Sequence, residues 1–369
     1  DFTGAGLTLS GSGNTVGGAF EVTNAGVFTT GDSADITVVG EFVQNGAGNS
    51  VIGADLTSSS DGFAFGTNVT LTSTDAIRIQ TGEGAGDDVV ISGTLTGTDD
   101  DLTIDAGSSG DITLTGAVNL GTGSLTIVDA DTVVFGSTLS AATFTQSDGA
   151  TSTTIGGALT LSGSFDFTGA GLTLSGSGNT VGGTFEVTNA GVFTTSSSSD
   201  ITVSSTFIQN GAGSNVIGDD ITGGSSILFT RAVVLTSGTA DDTIVFTSGG
   251  AAGEDITFSS TLGNADNESV RFDAGAAGDV VISGALGDLG TGDITVTNAA
   301  DVTFSSTVDA DNFTQVAGTG TTLFSGTLDL ASNFDFTGAA LTLSGSGNTV
   351  DGTFEVTNAG VFTTSSSSD

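Results

Sequence analysis

A string of 35 residues occurs three times in this chain, and that recurrence limits the fold more than any other feature. DFTGAGLTLSGSGNTVGGAFEVTNAGVFTTGDSAD at 1–35 returns at 166–200 as DFTGAGLTLSGSGNTVGGTFEVTNAGVFTTSSSSD. It returns again at 335–369 with Gly171 replaced by Ala340 and Gly182 by Asp351. The offsets are 165 and 169 residues. Between the copies the alignment drifts stepwise: Asp55 matches Asp220 at 165, Phe65 matches Phe229 at 164, and Asp88 matches Asp255 at 167. Asp105 then matches Asp273 at 168, and Phe135 matches Phe304 at 169. Each step falls in a run of Gly, Ser, Thr, Asp or Asn, while the apolar pairs between those runs stay aligned. Length changes of that kind are tolerated in surface turns. The apolar pairs are therefore elements and the polar runs are their connections.

The elements are short and alternate with period two. Leu7-Thr8-Leu9, Phe20-Glu21-Val22, Ile36-Thr37-Val38, Phe63-Ala64-Phe65, Leu102-Thr103-Ile104, Ile112-Thr113-Leu114 and Leu125-Thr126-Ile127 share one pattern. In each, the flanking residues are apolar and the middle one is small or polar. On a strand the outer two residues lie on one face and the middle residue on the other. Asn45-Gly46, Asn24-Ala25-Gly26 and Ser10-Gly11-Ser12-Gly13 are turn signals between such segments. Of the 42 acids seven are Glu and the rest Asp. Asp favours turns and Glu favours helices, so the chain reads as all-β.

Composition removes several function classes. The chain has 369 residues and a net charge of −39, its only bases being Arg78, Arg231 and Arg271. Binding to nucleic acid draws its affinity from neutralised phosphates, and an anionic membrane repels such a chain. There is no Cys or His, hence no zinc finger, disulfide framework or Ser–His pair. No run of 18 apolar residues suggests a membrane span. Disorder is opposed by a charged fraction of only 12% and a mean hydropathy of +0.26.

Two all-β architectures compete: sandwich domains, one or two per repeat, and a right-handed parallel β-solenoid (β-helix) of stacked short-strand coils. Three-residue strand cores, the absence of Pro, and LTLSGSFDFTGAGLTLSG running unbroken across positions 159–176 favour the solenoid. The weak likeness of Phe42-Val43-Gln44-Asn45-Gly46 to Phe144-Thr145-Gln146-Ser147-Asp148 supports a smaller inner repeat. At roughly 20 to 24 residues per coil, a repeat holds about seven or eight coils. The expected organisation is unit 1 at 1–165, unit 2 at 166–334 and the start of a third unit at 335–369, as one continuous rod. Neither end carries a capping sequence, so the chain reads as part of a longer array or as a unit whose open ends stack.

The LTLSGSG, VTNAGVFTT and SDITV strings resemble the β-strand repeats of bacterial surface proteins, including filamentous-haemagglutinin-like and autotransporter-type adhesins. That resemblance implies secretion, a place at the cell surface or outside the cell, and fibre formation, with no catalytic residues to transfer. The expected function is an extracellular structural protein forming a fibre, sheath or surface filament. The alternative is the stalk of a secreted adhesin whose binding domain lies elsewhere in a longer chain. Expected partners are further copies of the chain, end to end or side by side, with cell-surface polysaccharide and divalent cations as candidates.

Chemical sites are few. Asp87-Asp88, Asp99-Asp100-Asp101, Asp129 with Asp131, Asp219-Asp220 and Asp241-Asp242 offer hard oxygen ligands for Ca²⁺. None has EF-hand or glycine-rich nonapeptide spacing, and Asp99-Asp100-Asp101 aligns with Asn264-Ala265-Asp266-Asn267. No metal ligand set is assigned; the plain reading is solvated turn residues. Glycoside cleavage needs two carboxylates in a cleft, and the sugar-stacking Trp and Tyr are missing, so no enzyme is expected. Columns of Thr8, Thr37, Thr103 and Thr113 suit either an ice-binding face or an ordinary outward strand surface. Each Arg is expected to pair with a nearby Asp.

Overall fold

The computed structural model describes residues 1–238, 242–265, 267–287 and 292–366. The chain divides into two compact units, Asp1–Gly182 and Gly183–Asp369, and each is a parallel β-solenoid. Among the described residues there is no helix.

In the first unit the chain winds through three strands per coil. Phe2–Gly4, Leu7–Leu9 and Asn14–Val16 form the first coil and begin three parallel ladders, called here faces 1, 2 and 3. On face 1, Phe2 pairs with Val22, Phe20 with Phe42, Phe42 with Phe63 and Phe63 with Val89. On face 2, Leu7 pairs with Phe28 and Val69 with Leu95; on face 3, Ile36 pairs with Leu56 and Leu102 with Leu125. Partners are 19 residues apart at Ser152–Gly171 and 26 apart at Phe63–Val89. The coil is thus more variable than the expected 20 to 24, because turns absorb insertions without disturbing the ladders. A sandwich would need antiparallel sheets facing one another. Here the described strands inside the stack pair in parallel with those one coil before and after them.

Alternation decides what is inside. Ile36, Val38, Leu102, Ile104, Ile112, Leu114, Leu125 and Ile127 are all at most 1% exposed, and their middle threonines face outward. Each fully buried Phe, Leu or Ile contributes about 1.5–3 kcal/mol relative to exposure. Phe20 points inward but is only half-buried, because its coil lies near the first end of the stack. Some polar residues also point inward. Gln44 donates to Asn24 Oδ1 at 2.7 Å and to the Gly48 carbonyl at 2.8 Å, and Thr30 accepts the Gly53 N–H at 2.9 Å. A buried polar group needs such partners. At this corner the backbones come so close that a Cβ at Gly48 would overlap the Gly26 carbonyl oxygen.

The second unit repeats this plan with ladders begun by Phe185–Asn189, Phe193–Thr195 and Ile201–Val203. Its paired residues lie 18 apart at Asn215–Val233 and 29 apart at Val233–Leu262. One ladder narrows to single bridges at Leu262–Leu286 and Leu286–Val308, and another has a register shift between Phe272 and Asp273. Rings follow one another along its core: Phe185 stacks on Phe207 at 5.2 Å, Phe207 meets Phe229 tilted at 5.1 Å, and Phe229 stacks on Phe258 at 5.1 Å.

The sequence repeat and the coil do not share a period. In the first unit Phe2–Gly4 begins face 1, but its copy, within Phe165–Gly169, pairs with Phe144–Gln146 on face 3. The copy is the twenty-fourth strand of the chain, one face short of eight full turns. Likewise Leu7–Leu9 lies on face 2, whereas its copy in Gly171–Leu174 lies on face 1. The second unit shows the same step. Phe185–Asn189 begins one ladder, and its copy Phe354–Asn358 ends the ladder begun by Ile201–Val203. The expected seven or eight coils per repeat are therefore seven and two thirds. Identical strings serve different faces because all three faces demand the same thing, an inward apolar pair around a small outward residue.

Candidate functional site

The aspartates cluster at the corners, and most have a structural task. Asp88 precedes the inward Val89, and its Oδ1 accepts the Asp111 N–H of the next coil at 2.9 Å. Asp111 precedes Ile112, and its Oδ1 accepts the Thr132 N–H at 3.1 Å. Asp35 and Asp55 do the same for Asp55 and Arg78 at 3.2 and 2.8 Å. In the second unit a longer series runs Asp255 to Asp279 to Asp301 to Thr321, at 2.9, 2.9 and 2.6 Å. A corner leaves a backbone N–H without a ladder partner, and a carboxylate one coil below satisfies it with a charge-assisted bond. Asp fits because its short side chain holds the oxygen beside its own backbone. Asn68, which accepts the Thr94 N–H at 2.9 Å, plays the same part uncharged.

The sequence-derived clusters resolve individually. Asp87 is buried and accepts the Gly84 N–H at 2.8 Å, while Asp88 belongs to the corner series. Asp100 is 4% exposed and accepts the Ser73 and Thr98 N–H groups at 2.6 and 3.3 Å, and Asp101 accepts the Ser124 N–H at 2.7 Å. Asp131 accepts the Thr151 hydroxyl at 2.5 Å. Asp219 accepts the Asp220 N–H at 2.8 Å, and Asp220 accepts that of Val245 at 2.8 Å. Asp242 accepts the Thr243 N–H at 2.9 Å; Asp241 lies outside the described residues, as does Asp266. A shallow groove in the first unit collects Asp32, Asp35, Asp55, Asp75, Asp99 and Asp101 at the corner between faces 2 and 3. Among the described residues no three carboxylates converge as a metal cage requires.

Burial raises the pKa of Asp129, with neighbouring Asp148 and Asp105 adding to it. It also raises those of Asp219 and Asp220; beside Asp220 the Arg271 guanidinium partly opposes the rise. Glu41 is raised by burial and by Asp61. Arg78 bonds Asp105 at 2.7 Å, the local pairing expected of it, whereas Arg231 donates from Nε to the Gly211 carbonyl at 3.4 Å. The threonine columns are real: Thr8, Thr29, Thr70, Thr96, Thr160 and Thr180 lie along face 2, interrupted by Val51, Asn119 and Ser140. Thr37 and Thr103 belong to face 3 and Thr113 to face 1, so the four threonines named from the sequence do not form one array.

What the sequence reading missed is the corner role of aspartate. Its signal was present, since Asp stands directly before the inward pair in Asp35-Ile36, Asp55-Leu56, Asp88-Val89, Asp111-Ile112 and Asp255-Ile256. The arrangement holds neighbouring coils in register. Compared with protein-family models, with curated proteins and with solved structures, the chain finds no match.

Proposed function

We propose that this chain is a structural component of an extracellular fibre, sheath or surface filament, built to present a uniform, stiff β-coil stack. The observation that carries the reading is the constancy of the coil section. In each unit coil after coil repeats three short strands around the same apolar interior, and corner aspartates tie many of the coils to the next. Separating two neighbouring coils breaks hydrogen bonds in three ladders together with the apolar contacts between them. Stability in such stacks accumulates over nearest neighbours, so length is added without redesign. Near-identity of the repeated strings fits a role in which the units are interchangeable.

Electron microscopy of the purified chain and of cells that make it tests the reading. Uniform filaments with an axial repeat of about 4.8 Å in diffraction are expected. Single cell-tethered stalks with a distinct tip would favour an adhesin stalk, and isolated particles at all concentrations would overturn the filament.

A further inference from the structure

The charge of the first unit is confined to one side. From face 1, around the corner, and across face 2, Glu21 is the only charged side chain. The turns joining these faces, such as 25–27, 45–49, 92–94 and 136–138, hold only Gly, Ala, Ser, Thr, Asn and Val. The other acids stand on face 3, as Asp105 and Asp166 do, or on the two corners that border it. On face 1 the outward column runs Val43, Ala64, Val90, Thr113, Val134, Thr154 and Thr173, each paired with the next. Val27, on the uncharged corner, is 46% exposed.

The second unit carries an apolar outward column on its own ladder, but its flank is not free of charge: Glu186 pairs with the first residue of the column, Arg231 lies in the turn beside it, and Asp309 and Asp329 point outward on the adjoining ladder. In that column Ile208, Leu228, Thr257, Val281, Thr303 and Leu323 follow one another outward. Its counterpart of Val27, Val192, is 43% exposed.

We infer that this partly apolar side of the first unit, whose one charge is Glu21 beside Val43, is where a second copy of the chain binds, side against side through the same surface. The inference rests on the filament reading and specifies its lateral contact. Two chains of net charge −39 repel one another wherever acidic corners meet, with a range set by the Debye length of about 10 Å at 0.1 M salt. This side is the one approach in the first unit that places no carboxylate column against another. Nine coils at about 4.8 Å give a strip about 40 Å long, and face 1 with its corner is about 15 Å wide. That is about 600 Å² per partner, at the low end for a stable interface. The contact is therefore reversible and is strengthened by salt. Symmetric pairing of one patch with itself is the commonest closed arrangement for identical chains.

Sedimentation velocity of the full chain across 0.05–1 M NaCl tests this, with circular dichroism to verify folding. The wild-type chain should associate as salt rises. Val90→Asp with Val134→Asp, or the milder Thr113→Asp with Thr154→Asp, should raise the concentration needed for association at least tenfold. Thr103→Asp with Thr126→Asp, on the outward column of face 3, should leave it within about twofold. Association that survives both face 1 pairs, or is lost in the face 3 pair, overturns the assignment while leaving self-association intact. A wild-type chain that stays monomeric at every salt concentration removes self-association itself and the inference with it.

Discussion

Phe42→Ala is the perturbation that most directly interrogates the core. Phe42 is 0% exposed, and its ring centroid lies 5.5 Å from Phe20, 5.6 Å from Phe28, 5.7 Å from Phe63 and 5.2 Å from Phe65. Truncating a buried Phe costs about 3–5 kcal/mol, through lost transfer energy and the cavity left behind. Four ring contacts place this site towards the upper end. In a stack with nearest-neighbour coupling the loss falls on the coils that touch the ring. Amide hydrogen exchange resolves this where a melting curve would average it. At about 1.36 kcal/mol per decade, protection should drop about 10²- to 10⁴-fold at Phe20–Asn24, Phe42–Gln44 and Phe63–Phe65. The strand Leu159–Leu161, several coils away, should be unchanged. Unaltered protection at Phe63–Phe65 would refute the ring ladder as the source of local stability. A uniform drop through the unit would refute the nearest-neighbour description and show that the coils melt together.

Three further outcomes follow from the corners. Asp279→Asn keeps an acceptor for the Asp301 N–H and removes one charge from a stacked acidic series, so its melting temperature should match or exceed the wild type. Asp279→Ala strands that N–H and should cost about 1–3 kcal/mol; equal melting of the two variants would mean that the 2.9 Å bond contributes nothing. NaCl and CaCl₂ at matched ionic strength should raise the melting temperature alike, because screening acts on dispersed like charges. A shift specific to calcium and reversed by a chelator would instead demand a bound ion. The raised pKa values of Asp129, Asp219, Asp220 and Glu41 mean that the folded chain binds protons more readily than the unfolded chain at these positions. Unfolding free energy should therefore rise as pH falls through their raised values towards the ordinary carboxylate range. Denaturant titrations at pH 7 and at the ordinary carboxylate pKa of about 4 measure this, and lower stability at the acid end would contradict the sign.

Much of the fold was legible in short strings. Leu102-Thr103-Ile104 and Ile112-Thr113-Leu114 read as strands with their apolar residues inward, and both pairs are buried. That success has a local cause: period-two alternation fixes which side chains share a face, whatever the strand pairs with. The aspartates were legible as turn residues but not as coil-to-coil fasteners. Asp88 and Asp111 are 23 residues apart, and nothing local tells that the carboxylate of one meets the backbone of the other. Thr30, two residues after the buried Phe28, faces inward by the same alternation, but its task of accepting the Gly53 N–H from 23 residues on is likewise invisible in a local string.

By itself, then, the order of residues determined that the chain makes short strands, which side of each strand is apolar, and where the connections tolerate insertion. Only the tertiary structure decided that each coil has three sides and that a repeat stops one side short of a whole number of turns. It also decided that the acids leave one flank of the first unit with a single charge, Glu21. The difference is physical. Strand character and facing are settled within three residues, whereas the phase of a strand around the coil is the accumulated sum of every turn before it.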